Sequence, residues 1–131
     1  MNWRAFSIAT ALLAIGATSA VAQIPPGNNY ECHKVKDLKV PAKFVPQTGE
    51  TAADQVGAFI QDVKKPYLLC NPASINGGPI VDPLLHYCCY KIKANTKVKA
   101  DYDITDQFGP LRLQTSKPFL QCNACSKAPA P

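Results

Sequence analysis

Tyr87-Cys88-Cys89-Tyr90-Lys91-Ile92-Lys93 restates, with one cysteine added, the earlier run Tyr30-Glu31-Cys32-His33-Lys34-Val35-Lys36. Outward from this pair the chain keeps matching itself. Asp54-Gln55-Val56-Gly57 recurs as Asp106-Gln107-Phe108-Gly109, and Lys65-Pro66-Tyr67-Leu68-Leu69-Cys70-Asn71 recurs as Lys117-Pro118-Phe119-Leu120-Gln121-Cys122-Asn123. The offset is 57 residues before the Asp-Gln-x-Gly signal and 52 after it, so the first copy carries a loop five residues longer. Loops absorb such insertions at small entropic cost. The pattern predicts an internal duplication: β repeat 1 over 30–73, a connector over 74–86 and β repeat 2 over 87–125. A flexible leader (23–29) and a flexible tail (126–131) flank it.

Both copies read as strands. In 30–36 the period-two faces are Tyr30/Cys32/Lys34/Lys36 and Glu31/His33/Val35, bounded by turn residues. Residues 58–63 form a second strand, and Pro66 places 65–71 at a strand start, an edge or a bulge. In 98–104 the face Val98/Ala100/Tyr102/Ile104 is apolar against Lys99/Asp101/Asp103, the cleanest half-buried strand in the chain. Segment 37–53 holds Pro41 and Pro46 and offers only Phe44-Val45 as a short strand. No helical period is sustained in either copy. The expected class is all-β, with two homologous halves packed as a small disulfide-stabilised sandwich or barrel.

The address is legible at the start of the chain. Arg4, an apolar stretch over 8–17 and the small-residue site Ala20-Val21-Ala22 read as a signal peptide over 1–22. The apolar stretch is too short to span a bilayer, and no later stretch is long or apolar enough, so no membrane span is expected after signal removal. The expected location is secreted or periplasmic. Removing Arg4 leaves 13 basic against 9 acidic residues, spread along the chain. A nucleic-acid partner would call for a denser basic stripe with aromatic or motif support, and none is expected.

Six cysteines behind an export signal imply a disulfide framework in an oxidising compartment. Cys32 and Cys70 take the same places in copy one as Cys89 and Cys122 in copy two. Cys88 and Cys125 have no counterparts, and their simplest fate is to bond to each other. This gives Cys32–Cys70, Cys89–Cys122 and Cys88–Cys125. Symmetry alone also accepts the cross-copy scheme Cys32–Cys122 with Cys70–Cys89, while proximity in sequence favours pairing within a copy. Strand neighbours point to opposite faces, so Cys88 and Cys89 should serve different partners.

The combined signals Cys-x-Lys-[Val/Ile]-Lys, Asp-Gln-x-Gly and Lys-Pro-x-Leu-x-Cys-Asn resemble a family of secreted bacterial proteins classed as a domain of unknown function. So does the connector from Asn71-Pro72 through Asn76-Gly77 to Pro83-Leu84-Leu85-His86. The resemblance covers nearly all of 30–123 and departs at Cys88, Cys125 and Asn123-Ala124. It implies export, repetition and an all-β module, and it brings no catalytic residues.

Several groups invite a chemical reading. Cys122-Asn123-Ala124-Cys125 has C-x-x-C spacing, and with Cys88, Cys89 and His86 it suggests a redox pair or zinc, against which the even cysteine count favours disulfides. His33 and His86 flank the cysteine strands, but bridged cysteines leave no nucleophile for a Cys/His pair. Asp101, Asp103 and Asp106 suggest calcium or a carboxylate pair, against which a solvated strand face is the plainer reading. The residues Tyr30, Lys34, Lys36, Tyr87, Lys91 and Lys93 repeat as basic pairs beside tyrosines and form the candidate binding patch, suited to an acidic glycan or anionic surface. Lysines that guard a sheet edge are the competing reading.

The expected function is a secreted non-catalytic module, binding or structural, at the cell surface or in the extracellular space. No cofactor and no metal is expected, and an envelope glycan or protein is the candidate partner. The alternative is a small secreted hydrolase or metal-dependent enzyme whose site is borne by a loop such as 37–53. An inhibitor of a secreted enzyme is a third possibility.

Overall fold

The computed structural model describes residues 24–130; the signal peptide expected over 1–22 lies outside them. The strands are β1 (Asn29–Lys34), β2 (Gln47–Ala53), β3 (Ala58–Ala73), β4 (His86–Ala94), β5 (Asp101–Asp106), β6 (Gly109–Gln114) and β7 (Leu120–Cys125), and the described residues contain no helix. Five strands form one antiparallel sheet in the order β1-β3-β4-β7, with β2 beside β1 on the same edge of β3. Strands β5 and β6 form a separate two-stranded hairpin.

The 16-residue β3 is the axis of the sheet. One edge takes β2 over its first half and β1 over its second, and the other edge pairs with β4 from Gln61 to Cys70. The two segments expected at 58–63 and 65–71 are therefore one strand. Pro66 does not break it, because the register shifts between Val63 and Lys65 and again between Pro66 and Leu68, which places the missing N–H at an irregularity.

The sheet is open. It does not close into a barrel, because β1 and β7 lie at opposite edges without pairing to each other. Two strand positions also differ from expectation. The strand in the long loop is β2, not Phe44-Val45, because the Phe44 amide is drawn to the Asp37 carboxylate at 2.8 Å. The strand expected over 98–104 begins at Asp101: at Ala100 the carbonyl still accepts the Thr115 N–H at 2.8 Å, but the Ala100 N–H goes to the Thr115 hydroxyl, which also donates to the Val98 carbonyl. The expected alternation of that strand is present: Val98, Ala100 and Ile104 are half-buried and Tyr102 is 37% exposed, against exposed Lys99, Asp101 and Asp103, whereas its partner β6 leaves Leu111 51% and Leu113 49% exposed.

The pairings recur along the chain. Every β1–β3 pair, from Asn29↔Ala73 to Lys34↔Leu68, reappears between β4 and β7 when 57 is added to the first number and 52 to the second. The pairs Glu50↔Gln61, Thr51↔Ile60, Ala52↔Phe59 and Ala53↔Ala58 reappear in β5–β6 with 52 added to both. The turns correspond too. Asp54 accepts the Val56 N–H and Asp106 the Phe108 N–H, each at 2.8 Å, so the aspartate of Asp-Gln-x-Gly folds its own turn.

Among the described residues few are buried: Phe59, Val63, Cys70, Cys89 and Ala94, with Gln61 and His86 as buried polar groups. The polar pair is satisfied. Gln61 donates to Gln121 at 2.7 Å, and His86 Nδ1 lies 3.2 Å from Asn71 Oδ1. So small an apolar core leaves much of the stabilisation to covalent links. The leader is not free of the domain. The Asn28 side chain accepts the Val81 and Asp82 N–H groups and donates to the Asp82 carbonyl and Tyr30 Oη.

Candidate functional site

The cysteines occupy the centre of the sheet. The structure contains Cys32–Cys70, Cys89–Cys122 and Cys88–Cys125, and no cysteine is free. Cys32 lies directly opposite Cys70, and Cys89 opposite Cys122, with Cα separations of 3.9 and 4.0 Å. Such close approach belongs to antiparallel pairs that do not exchange backbone hydrogen bonds. Cys88 projects from the other face and reaches Cys125 diagonally, at a Cα separation of 6.0 Å. With all sulfurs bonded, the C-x-x-C segment carries no thiol chemistry in this state.

The histidines and aspartates are engaged elsewhere. His33 lies on exposed β1, and His86 is buried on β4 against Asn71. Asp101 accepts from Gln114, Asp103 receives both Nε and Nη2 of Arg112, and Asp106 caps its turn. Among the described residues, no three His, Cys, Asp or Glu side chains converge as a metal site would require.

The proposed patch residues divide between two places. Tyr30 and Tyr87 meet edge to face, with ring centroids 5.1 Å apart. Lys34 and Lys91 lie four residues further along the same strands, about 13 Å away at the usual rise, beyond the row of disulfides. The tyrosines and the lysines therefore do not form one patch. The aromatic partner of the lysines is Tyr67: Lys91 Nζ stands 4.5 Å from its ring centroid, within cation–π range. Lys93 faces Asp62 across the β3–β4 pair.

Around Tyr67 opens a groove of about 520 Å³ where β1 leaves the sheet and β3 bulges. Lys34, Lys36, Lys39, Lys43, Lys64 and Lys65 line it, with Tyr67, Phe44, Pro46 and Pro66 as its apolar wall. Asp37 is the one carboxylate in the lining. Its oxygens accept the Phe44 and Lys39 N–H groups, each at 2.8 Å, and these bonds hold its carboxyl below the usual carboxylate range, helped by Lys39 and Lys43. Asp37 thus shapes the loop that carries Lys39 and Lys43. Asp62, outside the lining, accepts the Gly49 N–H and binds Lys64 at 3.2 Å, and both contacts lower its pKa.

Sequence reasoning found Lys34, Lys36 and Lys91 but missed Lys39, Lys43, Lys64, Lys65 and Tyr67. The available signal was the cationic run Lys64-Lys65-Pro66-Tyr67 together with the lysines of the 37–53 loop. Searches of family models, curated proteins and solved structures return no match to the chain.

Proposed function

We propose that the protein is an exported, non-catalytic module of the cell surface, periplasm or extracellular space, and that its lysine groove holds an acidic glycan. The observation that carries this reading is the convergence of six lysines and Tyr67 on one groove whose single carboxylate is turned to backbone amides. A sugar acid fits such a wall, with its carboxylates or sulfates near the ammonium groups and its ring against the aromatic face. Three disulfides support an oxidising compartment. The use of both Asp37 oxygens in loop hydrogen bonds supports binding over a hydrolase borne by the same loop. The repeat motifs and their family resemblance support export.

The test is calorimetric titration of the oxidised protein with polygalacturonate oligomers, a neutral glucan and single-stranded DNA. Binding to the acidic glycan should weaken as salt rises. It should also fall roughly tenfold in the doubly reversed variant Lys39→Glu/Lys43→Glu, which loses two exposed contacts. Equal binding of the neutral glucan, equal binding of DNA, or indifference to the double variant would overturn the reading.

A further inference from the structure

The junction between β3 and β4 has two unfilled counterparts at the edges of the same molecule. In the recurring register, β4 corresponds to β1, and β3 corresponds to β6 followed by β7. The edge of β4 that pairs with β3 therefore corresponds to the outer edge of β1. The edge of β3 that pairs with β4 corresponds to the outer edge of β6 and β7. Among the described residues both outer edges lack a strand partner. Such edges present rows of N–H and C=O groups that template pairing with another chain.

The side chains carry the same message. Phe59, Gln61 and Cys70, on the paired strand β3, are 6%, 3% and 5% exposed. Their counterparts Leu111 and Leu113 are 51% and 49% exposed, and Cys122 is exposed as well. Phe119, the counterpart of Tyr67, is 68% exposed. After β4 the chain brings Val98 against Gly57, where its Cγ2 would lie 3.4 Å from an added Cβ. After β1 the corresponding loop presents Leu38, Val40 and Val45, which are 76%, 81% and 68% exposed. One edge thus offers uncovered apolar groups, and the other offers apolar groups that cover nothing.

We propose that the partner of the β6–β7 edge is β1 of a second copy of this chain, added in the register of the β3–β4 junction. Shifting that junction's pairs places Leu120 opposite Cys32 of the second copy, Cys122 opposite its Tyr30, and Thr115 opposite its Val35. The half-buried Tyr30 of the second copy would meet Tyr87 of the first as Tyr87 meets Tyr30 within the chain. This joins β6 and β7 along one partner strand, as β4 joins the two halves of β3. Each copy then still offers one β1 edge and one β6–β7 edge, so the contact is heterologous and the assembly grows head to tail.

The register makes a signed prediction. It sets Lys117 opposite Lys34 of the second copy, as Lys65 stands opposite Lys91 within the chain. Like charges directly opposite weaken a strand pair, and opposite charges strengthen it. Sedimentation of the oxidised protein without its signal should show mass rising with concentration. Lys117→Glu alone and Lys34→Glu alone should each tighten association roughly two- to fivefold, whereas the double variant in one chain should lose that gain. Leu113→Glu, which removes the apolar side chain and sets a carboxylate opposite Asp37 of the second copy, should weaken association. Both lysines and Leu113 are exposed, so folding is not at stake. A monomer at all concentrations in the parent and both single reversals would overturn the proposal. So would association indifferent to the reversals, or association that stops at a symmetric dimer.

Discussion

Cys70 Sγ and Cys89 Sγ lie 3.9 Å apart although each is bonded to another cysteine. The contact lines up Cys32, Cys70, Cys89 and Cys122 across β1, β3, β4 and β7, so two bridges form one sulfur row over four strands. The inner sulfurs are buried, with Cys89 only 1% exposed, while Cys32 and Cys122 at the ends are exposed. The row substitutes for the large apolar side chains that a sheet of this size would otherwise need.

The three bridges should not be equivalent. Each spans a loop for which chain entropy gives about 3–4 kcal/mol. Replacing Cys88 and Cys125 by alanine should cost about that amount and leave the sheet intact, because β1–β3 stands without such a second bridge. Replacing Cys89 and Cys122 should cost more, since it also opens a void beside Cys70. Urea denaturation of the two double variants checks the order.

Phe59 and Leu111 occupy corresponding places in β3 and β6 but differ in exposure, at 6% and 51%. Phe59→Ala should destabilise by about 3–5 kcal/mol. Leu111→Ala in dilute protein should stay within about 0.5 kcal/mol of the parent. Equal losses in thermal denaturation would mean that the hairpin is packed as tightly as β3.

The edge-to-face contact of Tyr30 with Tyr87 bridges β1 and β4 over β3. A double-mutant cycle with Tyr30→Leu and Tyr87→Leu should give a coupling of about 0.5–1.5 kcal/mol. Independent effects of the two changes would show that the rings do not interact in solution.

Asp37 holds the 37–44 loop through two backbone N–H groups, and its carboxyl is lowered first by the Phe44 bond. A carboxylate whose folded pKa lies below the ordinary value of about 3.9 stabilises fully above that value, and the contribution is lost as pH falls through the folded pKa. The amide resonances of Lys39 and Phe44 should therefore titrate together at a pH below the ordinary carboxylate range. In Asp37→Asn that transition should vanish, and acidic-glycan binding should weaken as Lys39 and Lys43 lose their fixed positions.

Much of the sheet is legible in the residues because matching motifs along the chain annotate each other. The short alternation at 30–36 is ambiguous alone, but its return at 87–93 with a cysteine in register marks both as strands. The continuity of β3 was hidden by Pro66, since a proline signals a boundary locally and only the pairing with β4 shows that a bulge accommodates it. The hairpin is legible in its face but not in its bounds: the alternation at Val98, Ala100, Tyr102 and Ile104 marks the half-buried side, while the start at Asp101 and the exposure of Leu111 and Leu113 on β6 leave no trace in it. The groove was least legible. Lys39 and Lys43 sit in an aperiodic segment, and a side-chain to backbone bond seven residues long, Asp37 to Phe44, leaves no periodic trace.

The four hydrogen bonds of Asn28 make one side chain the clasp between the chain's entry and the crossing at Val81 and Asp82. That fixes how far the chain can be shortened from its start. Removing residues through Gly27 leaves the clasp whole, whereas removing one more frees the Val81 and Asp82 amides and unties the connector from β1. The anchor of the connector is thus a polar side chain outside every strand, two residues before Tyr30.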